Sequence, residues 1–302
     1  MRLVKNSSRA RASLDPGPLG ERVPIGESGR RRTSAFQERD ILSHYNPLYS
    51  AAGLLVGMLI GLTGVGGGSL MTPLLVLLFG VHPVTAVGTD LLYASVTKTV
   101  GTAVHGKQGT VDWRIVGALA CGSVPGAILT LLIMSRVGSL AANAAGVLDL
   151  LLGLSLLITS ISVFFRSQIL KWAGRRIHGM EKERRRRYTV LLGFALGVLV
   201  SVTSVGAGAL GTTALLILYP RLPIARVAAS DIAHAVPLTL IAGIGHWIMG
   251  SVDLTLMVAL LFGSIPGIII GSLLSARASD SLLGPVLAIT LFIVAIRLLI
   301  VA

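Results

Sequence analysis

From residue 48 onward the chain alternates long apolar runs with short polar turns. The runs fall at about 48–79, 83–104, 113–135, 140–165, 189–219, 224–249, 254–276 and 280–301. A helix needs roughly 20 apolar residues to cross the hydrocarbon core of a bilayer, and every run meets that length. Turn residues separate them, as in Gly80-Val81-His82-Pro83 and Tyr219-Pro220-Arg221-Leu222-Pro223. The pattern predicts an all-α integral membrane protein of about eight transmembrane segments.

The first run is too long for one simple span and is interrupted by Gly61-Leu62-Thr63-Gly64-Val65-Gly66-Gly67-Gly68-Ser69. Glycine is a poor helix interior residue, so two helical pieces with an unwound joint are expected. Near residue 197 the device returns, in Gly197 to Leu216. At a shift of 140, Gly57, Thr63, Val65, Gly66, Gly68 and Leu70 fall on Gly197, Thr203, Val205, Gly206, Gly208 and Leu210. At a shift of 141, Asp90, His105, Gly109 and Asp112 fall on Asp231, His246, Gly250 and Asp253. Two homologous repeats are therefore expected, each beginning with a Gly-broken helix, with a central site at their interface.

The organisation read from this is a basic tail over 1–46, a first repeat over 47–165, a basic loop over 166–188 and a second repeat over 189–302. The tail is rich in Arg, Ser, Gly and Pro and is expected to be disordered. Composition agrees with a membrane protein: 53% hydrophobic, 13% charged, mean hydropathy +0.81. Soluble domains carry about 25% charged residues.

The formal charge is +13, and most of it lies in the tail and in 166–188. No nucleic-acid-binding module accompanies it, so no nucleic-acid partner is expected. Density of Lys and Arg marks 166–188 as cytoplasmic and suits it to anionic lipid head groups. Placing the tail on the same side requires an even number of crossings between the two, which four supplies if 48–79 crosses once. Arg221, Arg226 and Arg277 would then face outside, against the rule; they would lie inside if 189–219 turned back. Charge alone leaves parallel and inverted repeats open, and oligomeric state is not legible. The one cysteine, Cys121, excludes an intramolecular disulfide.

A helix restarting after an unwound turn presents free N–H groups and the positive end of its dipole, which suits an anion. Candidate substrate-binding residues at the joints are Thr63, Gly64, Val65, Gly66, Gly67, Gly68 and Ser69, with Thr203, Ser204, Val205, Gly206 and Gly208. Close helix packing is the competing explanation for the glycines. Lys98 is a further candidate, because charge at membrane depth is expensive and usually functional. At about 100° per residue Asp90 lies some 80° around the helix from Lys98, so a direct contact between them is poor. Asp90, Asp231, His105, His234 and His246 are candidate proton carriers. Asp231 and His234 are three apart and share a helix face. His105 and His246 are expected at the membrane interface, and Asp112 and Asp253 as N-caps. The His/Asp spacing matches no metal-ligand motif, so no metal is expected. No Gly-Lys-Ser/Thr follows either joint, so neither is a Walker loop, and no cofactor is expected.

As a set, the paired TGVGGG-type breaks, the block Gly88 to Trp113 and the GSVPGA and GSIPGI repeats resemble the sulfite exporter TauE/SafE family. The resemblance covers about 48–301. It implies ATP-independent export or exchange of small sulfur-containing anions such as sulfite or organosulfonates, in the bacterial cell membrane. The second break carries alanines at 207 and 209 where the first has Gly67 and Ser69, so equal roles for the joints do not follow. The rival classes are an anion channel, a non-transporting membrane assembly protein and a membrane-embedded enzyme. The last would need a nucleophile and base cluster such as GxSxG or HExxH, and neither occurs.

Overall fold

A computed structural model describes residues 47–63, 68–137, 144–174, 180–206, 208–274 and 280–301. Its described elements are all helices: α1 (Pro47–Thr63), α2 (Gly68–Leu77), α3 (Pro83–Lys107), α4 (Trp113–Val137), α5 (Ala144–Phe164), α6 (Arg166–Gly174), α7 (Lys182–Thr203), α8 (Ala209–Leu218), α9 (Ile224–Ile248), α10 (Leu254–Leu274) and α11 (Asp280–Val301). Four of them, in α4, α7, α9 and α10, are long and apolar enough to cross a membrane by length and composition. The polar stretch 166–188 is largely helical, holding α6 and the first turns of α7.

Glycine sets how closely the helices approach. A Cβ at Gly57 would sit 2.5 Å from Ser264 O, and one at Gly61 2.5 Å from Ser272 N. Gly263, Gly267 and Gly271 face Ser50, Leu54 and Met58 in return. Residue numbers rise together along this contact, so α1 and α10 run parallel. α4 and α7 do the same, with Gly122 and Gly126 against Val190 and Phe194, and Gly193 and Gly197 against Leu119 and Ser123. Small residues at such contacts let backbones meet where lipid offers no hydrophobic drive.

Two other pairs run antiparallel. Gly243 meets Leu92 while Gly101 meets Ile232, so α3 and α9 are antiparallel. Ser160 Oγ donates to Ala288 O (2.8 Å) while Gly153 meets Leu299, so α5 and α11 are antiparallel too.

Each joint is a reversal. α2 ends beside the start of α1, with Tyr49 and Phe79 rings 4.6 Å apart. α8 ends beside the start of α7, where Thr189 Oγ1 and Tyr219 OH share a hydrogen bond of 2.9 Å. The ten residues of α2 or α8 rise about 15 Å, roughly half the hydrocarbon core.

This corrects the expected course of the chain. Residues 48–79 leave from and return to one end of the bundle. Three helices, α3 to α5, then separate Pro47 from Arg166, and an odd number places those two residues at opposite ends. The same reversal in the second half brings Arg221 and Arg226 to the end that holds α6 and Lys182. Of the two courses left open for 189–219, the chain takes the one that turns back.

Asp112 and Asp253 do cap their helices. Arg114 N donates to Asp112 Oδ1 (3.1 Å), and Leu256 N to Asp253 Oδ1 (2.9 Å). Their own amides are taken from across the bundle: Asp112 N donates to Ser230 Oγ and Asp253 N to Thr89 Oγ1.

Candidate functional site

The second joint shows how the backbone turns. Ser204 ends α7 in the left-handed region (φ 56°), and its N–H donates to Val200 O at 2.7 Å. Gly206 follows at φ 109°, a conformation open to glycine and strained for other residues. Val205 N donates to Thr203 Oγ1 (3.2 Å), which satisfies one amide freed by the turn. Ser201 O accepts from His246 Nε2 (2.9 Å). Thr203, Ser204, Val205 and Gly206 are all buried, the condition under which irregular backbone survives at membrane depth.

The turn delivers Ser204 to a carboxylate on the far side of the centre. Asp90 of α3 is fully buried, and its Oδ2 accepts from Ser204 Oγ (3.0 Å), Thr72 N (3.2 Å) and Thr72 Oγ1. Thr72 lies on α2, so one carboxylate joins α2, α3 and the α7–α8 turn. Asp231 of α9 mirrors this in part. Thr212 Oγ1 of α8 donates to its Oδ2 (3.0 Å), and His234 Nδ1 lies 4.0 Å from its Oδ1. His234 Nε2 shares a hydrogen bond of 2.9 Å with Ser123 Oγ of α4. If Nδ1 carries the proton toward Asp231, Nε2 accepts from the Ser123 hydroxyl.

Lys98 is the only buried lysine or arginine among the described residues. It lies on α3 between the contacts that cross α9 at Leu92–Gly243 and Gly101–Ile232, at the middle of the antiparallel pair. Asp90 shares α3 with it and Asp231 lies on the facing helix α9, both buried; hydroxyls and an amide hold Asp90 Oδ2. At the position of α9 that matches Lys98, Thr239 Oγ1 donates to its own backbone at Ala235 O (2.8 Å).

Asp90, Lys98, Asp231, His234 and Ser204 thus gather around the α3–α9 centre. His246 is buried against α7, and His105 is buried near the end of α3. Thr63 is the last residue of α1, and Gly68 and Ser69 open α2. Gly64, Val65, Gly66 and Gly67 lie outside the described residues. Gly208 precedes α8 with no side-chain cap. Among the described residues no group of three His, Cys, Asp or Glu is placed to hold a metal ion.

Sequence reasoning passed over Thr72, Thr212 and Ser123. Thr72 and Thr212 fall on each other at the shift of 140, and each lies close behind its joint. That coincidence was a usable signal. Ser123 sits in the repeated GSVPG motif, whose other copy supplies Ser264; the Ser264 hydroxyl pairs with Thr97 Oγ1 at 2.8 Å.

A family model described as sulfite exporter TauE/SafE matches residues 49–298. The chain belongs to this TauE/SafE family. It is an integral membrane protein. Among curated relatives, a probable membrane transporter protein, YjnA of Bacillus subtilis, is 40% identical over 248 residues, 82% of this chain and 97% of the relative. A second from the same organism, YdhB, is 30% identical over 72% of this chain and 85% of its own length. A third, the probable membrane transporter protein MJ0441 of Methanocaldococcus jannaschii, is 24% identical over 68% of this chain and 74% of its own length. No solved structure matches the chain.

Proposed function

We propose that this chain is a secondary transporter that exports small sulfur-containing anions, sulfite or organosulfonates, across a bacterial cell membrane. The observation that carries the reading is that the one buried lysine among the described residues, Lys98, lies in the α3–α9 pair, whose two helices each bury a carboxylate, Asp90 and Asp231. With both carboxylates ionised, the three groups sum to one negative charge. An arriving anion would stack further negative charge where it is poorly solvated. Binding therefore goes with protonation of Asp90 or Asp231, which releases Lys98 to face the cargo. The joints add hydroxyl and amide donors beside it.

Two inverted halves complete the reading. The helices that correspond at the 141 shift, α3 and α9, run antiparallel, as do α5 and α11. The first broken helix of each half packs in parallel on the other half's glycine-lined helix, α1 on α10 and α7 on α4. This is the arrangement expected when the relating axis lies in the membrane plane and one half rocks against the other. The Ser204–Asp90 bond ties a joint of one half to the core of the other, which suits a carrier that breaks and remakes contacts better than an open channel. Because Lys107, Arg114, Arg166, Lys182, Arg221 and Arg226 gather at one end, that end faces the cytoplasm.

Counterflow tests the reading. Proteoliposomes loaded with unlabelled sulfite should transiently concentrate labelled sulfite from outside. Passive equilibration without overshoot would indicate a channel, and no sulfite-dependent flux would remove sulfite as cargo.

A further inference from the structure

A second site lies away from the centre, in the groove between α4 and α7 at the end that holds α6. The groove has a volume of about 620 Å³. Its mouth carries Arg114, Lys182, Arg185 and Arg186 against one carboxylate, Asp112, whose Oδ1 already accepts from Arg114 N. Arg185 is fixed in place: its guanidinium lies 5.5 Å over the Tyr219 ring and its NH2 donates to Met180 O (3.0 Å). Its Nε is buried with no hydrogen-bond partner among the described residues. A fixed guanidinium with an unused donor asks for an acceptor oxygen from outside the chain.

Below the mouth the lining changes character. Gly117 and Cys121, one turn apart on α4, open an apolar furrow along the helix toward Val190 of α7. Trp113 stands exposed beside the mouth, where an aromatic ring sits at the head-group level. The matching α10 positions carry Val258 and Phe262, so the furrow is a property of this half alone. A basic mouth over an apolar furrow on the outer wall fits a molecule with a phosphate at one end and a chain at the other.

We propose that this groove is a binding site for an anionic phospholipid of the cytoplasmic leaflet. Its phosphate lies between Arg185 and Arg186, and an acyl chain follows the furrow past Gly117 and Cys121. A free small anion would need only the mouth; the furrow argues for the lipid. The site is separate from the α3–α9 centre and does not depend on how that centre works.

Native mass spectrometry of the detergent-purified full chain tests this, with phosphatidylglycerol as the probe and phosphatidylcholine as the comparison. Wild type should retain phosphatidylglycerol in preference to phosphatidylcholine. Arg186→Gln, which alters only an exposed cation, should weaken retention about fivefold, from roughly 1 kcal/mol per basic residue near a lipid surface. Cys121→Phe places in the furrow the residue that α10 carries and leaves the mouth intact; it should abolish the preference. Cys121→Ala serves as the folding control and should retain the lipid. Equal retention of both lipids by wild type overturns the proposal. So does a Cys121→Phe variant that still prefers phosphatidylglycerol, or inorganic phosphate displacing the lipid at equimolar concentration, since either makes the site a mouth for free anions.

Discussion

Ser204 Oγ donates to Asp90 Oδ2 across 3.0 Å although the two residues are 114 apart in the chain. The bond joins the second joint to the central helix of the first half. The position 140 before Ser204 is Gly64, which has no side chain to donate. The two carboxylates therefore sit in different settings, Asp90 among hydroxyls and an amide, Asp231 beside His234.

Ser204→Ala should lower the stability of the resting conformation by about 1.5–3 kcal/mol, the range for a hydrogen bond to a charged group. Thermal unfolding of the detergent-solubilised protein measures it. An unchanged midpoint would show that Asp90 is held by Thr72 alone.

Gly206→Leu should abolish transport while the protein still inserts. The residue sits at φ 109°, and a Cβ there would come 3.0 Å from Leu199 and 3.3 Å from Leu210. Gly66→Leu, at the matching position, should do the same. Wild-type sulfite counterflow in either variant would take that joint out of the site.

Accessibility tests the reversals. In a Cys121→Ala background, Leu48→Cys and Ser135→Cys should react with an impermeant thiol reagent from one face of the membrane, and Ser167→Cys from the other. Ser167 should be the cytoplasmic one. If Leu48→Cys and Ser167→Cys label from the same face, residues 48–79 cross the membrane and the hairpin at the first joint is wrong.

Gly197→Ala tests the close helix contacts. Its Cβ would lie 2.9 Å from Ser123 Cα and 3.0 Å from Ser123 C, both backbone atoms that cannot move aside alone. Overpacking of this kind costs about 1–3 kcal/mol, read as a lower unfolding midpoint. Gly117→Ala, with open space at its Cβ, should leave the midpoint unchanged.

Much of the fold was legible because lipid leaves few options. Apolar run length marked the four helices long and apolar enough to cross a membrane, and the GAGAL stretch marked the turn after α7. Direction was not legible. A glycine-rich joint reads the same whether the chain continues or turns back, and contacts such as Tyr49–Phe79 and Thr189–Tyr219 distinguish the two. At the centre, Lys98, Asp90 and Asp231 stood out because ionisable groups are rare in apolar runs. Thr72 and Thr212 did not, since threonine is common there and its role depends on which carboxylate it faces. Nor was the partner of His246 legible, the carbonyl of Ser201 on α7, because it depends on which helices meet.

The central claim is that Lys98 meets the anion when a neighbouring carboxylate takes up a proton. Binding of a dianion and a monoanion of similar size to wild type and Lys98→Gln, with proton uptake followed in weakly buffered nanodiscs, tests it most directly. Loss of a charge-assisted contact should weaken the dianion by about 1–3 kcal/mol, more than the monoanion. Lys98→Arg should restore only part, since a planar fork replaces a compact ammonium. Proton uptake on binding should be seen in wild type and should disappear in the Asp90→Asn, Asp231→Asn double variant. If Lys98→Gln binds both anions as tightly as wild type, with no proton taken up by either protein, the buried lysine is structural and the account fails.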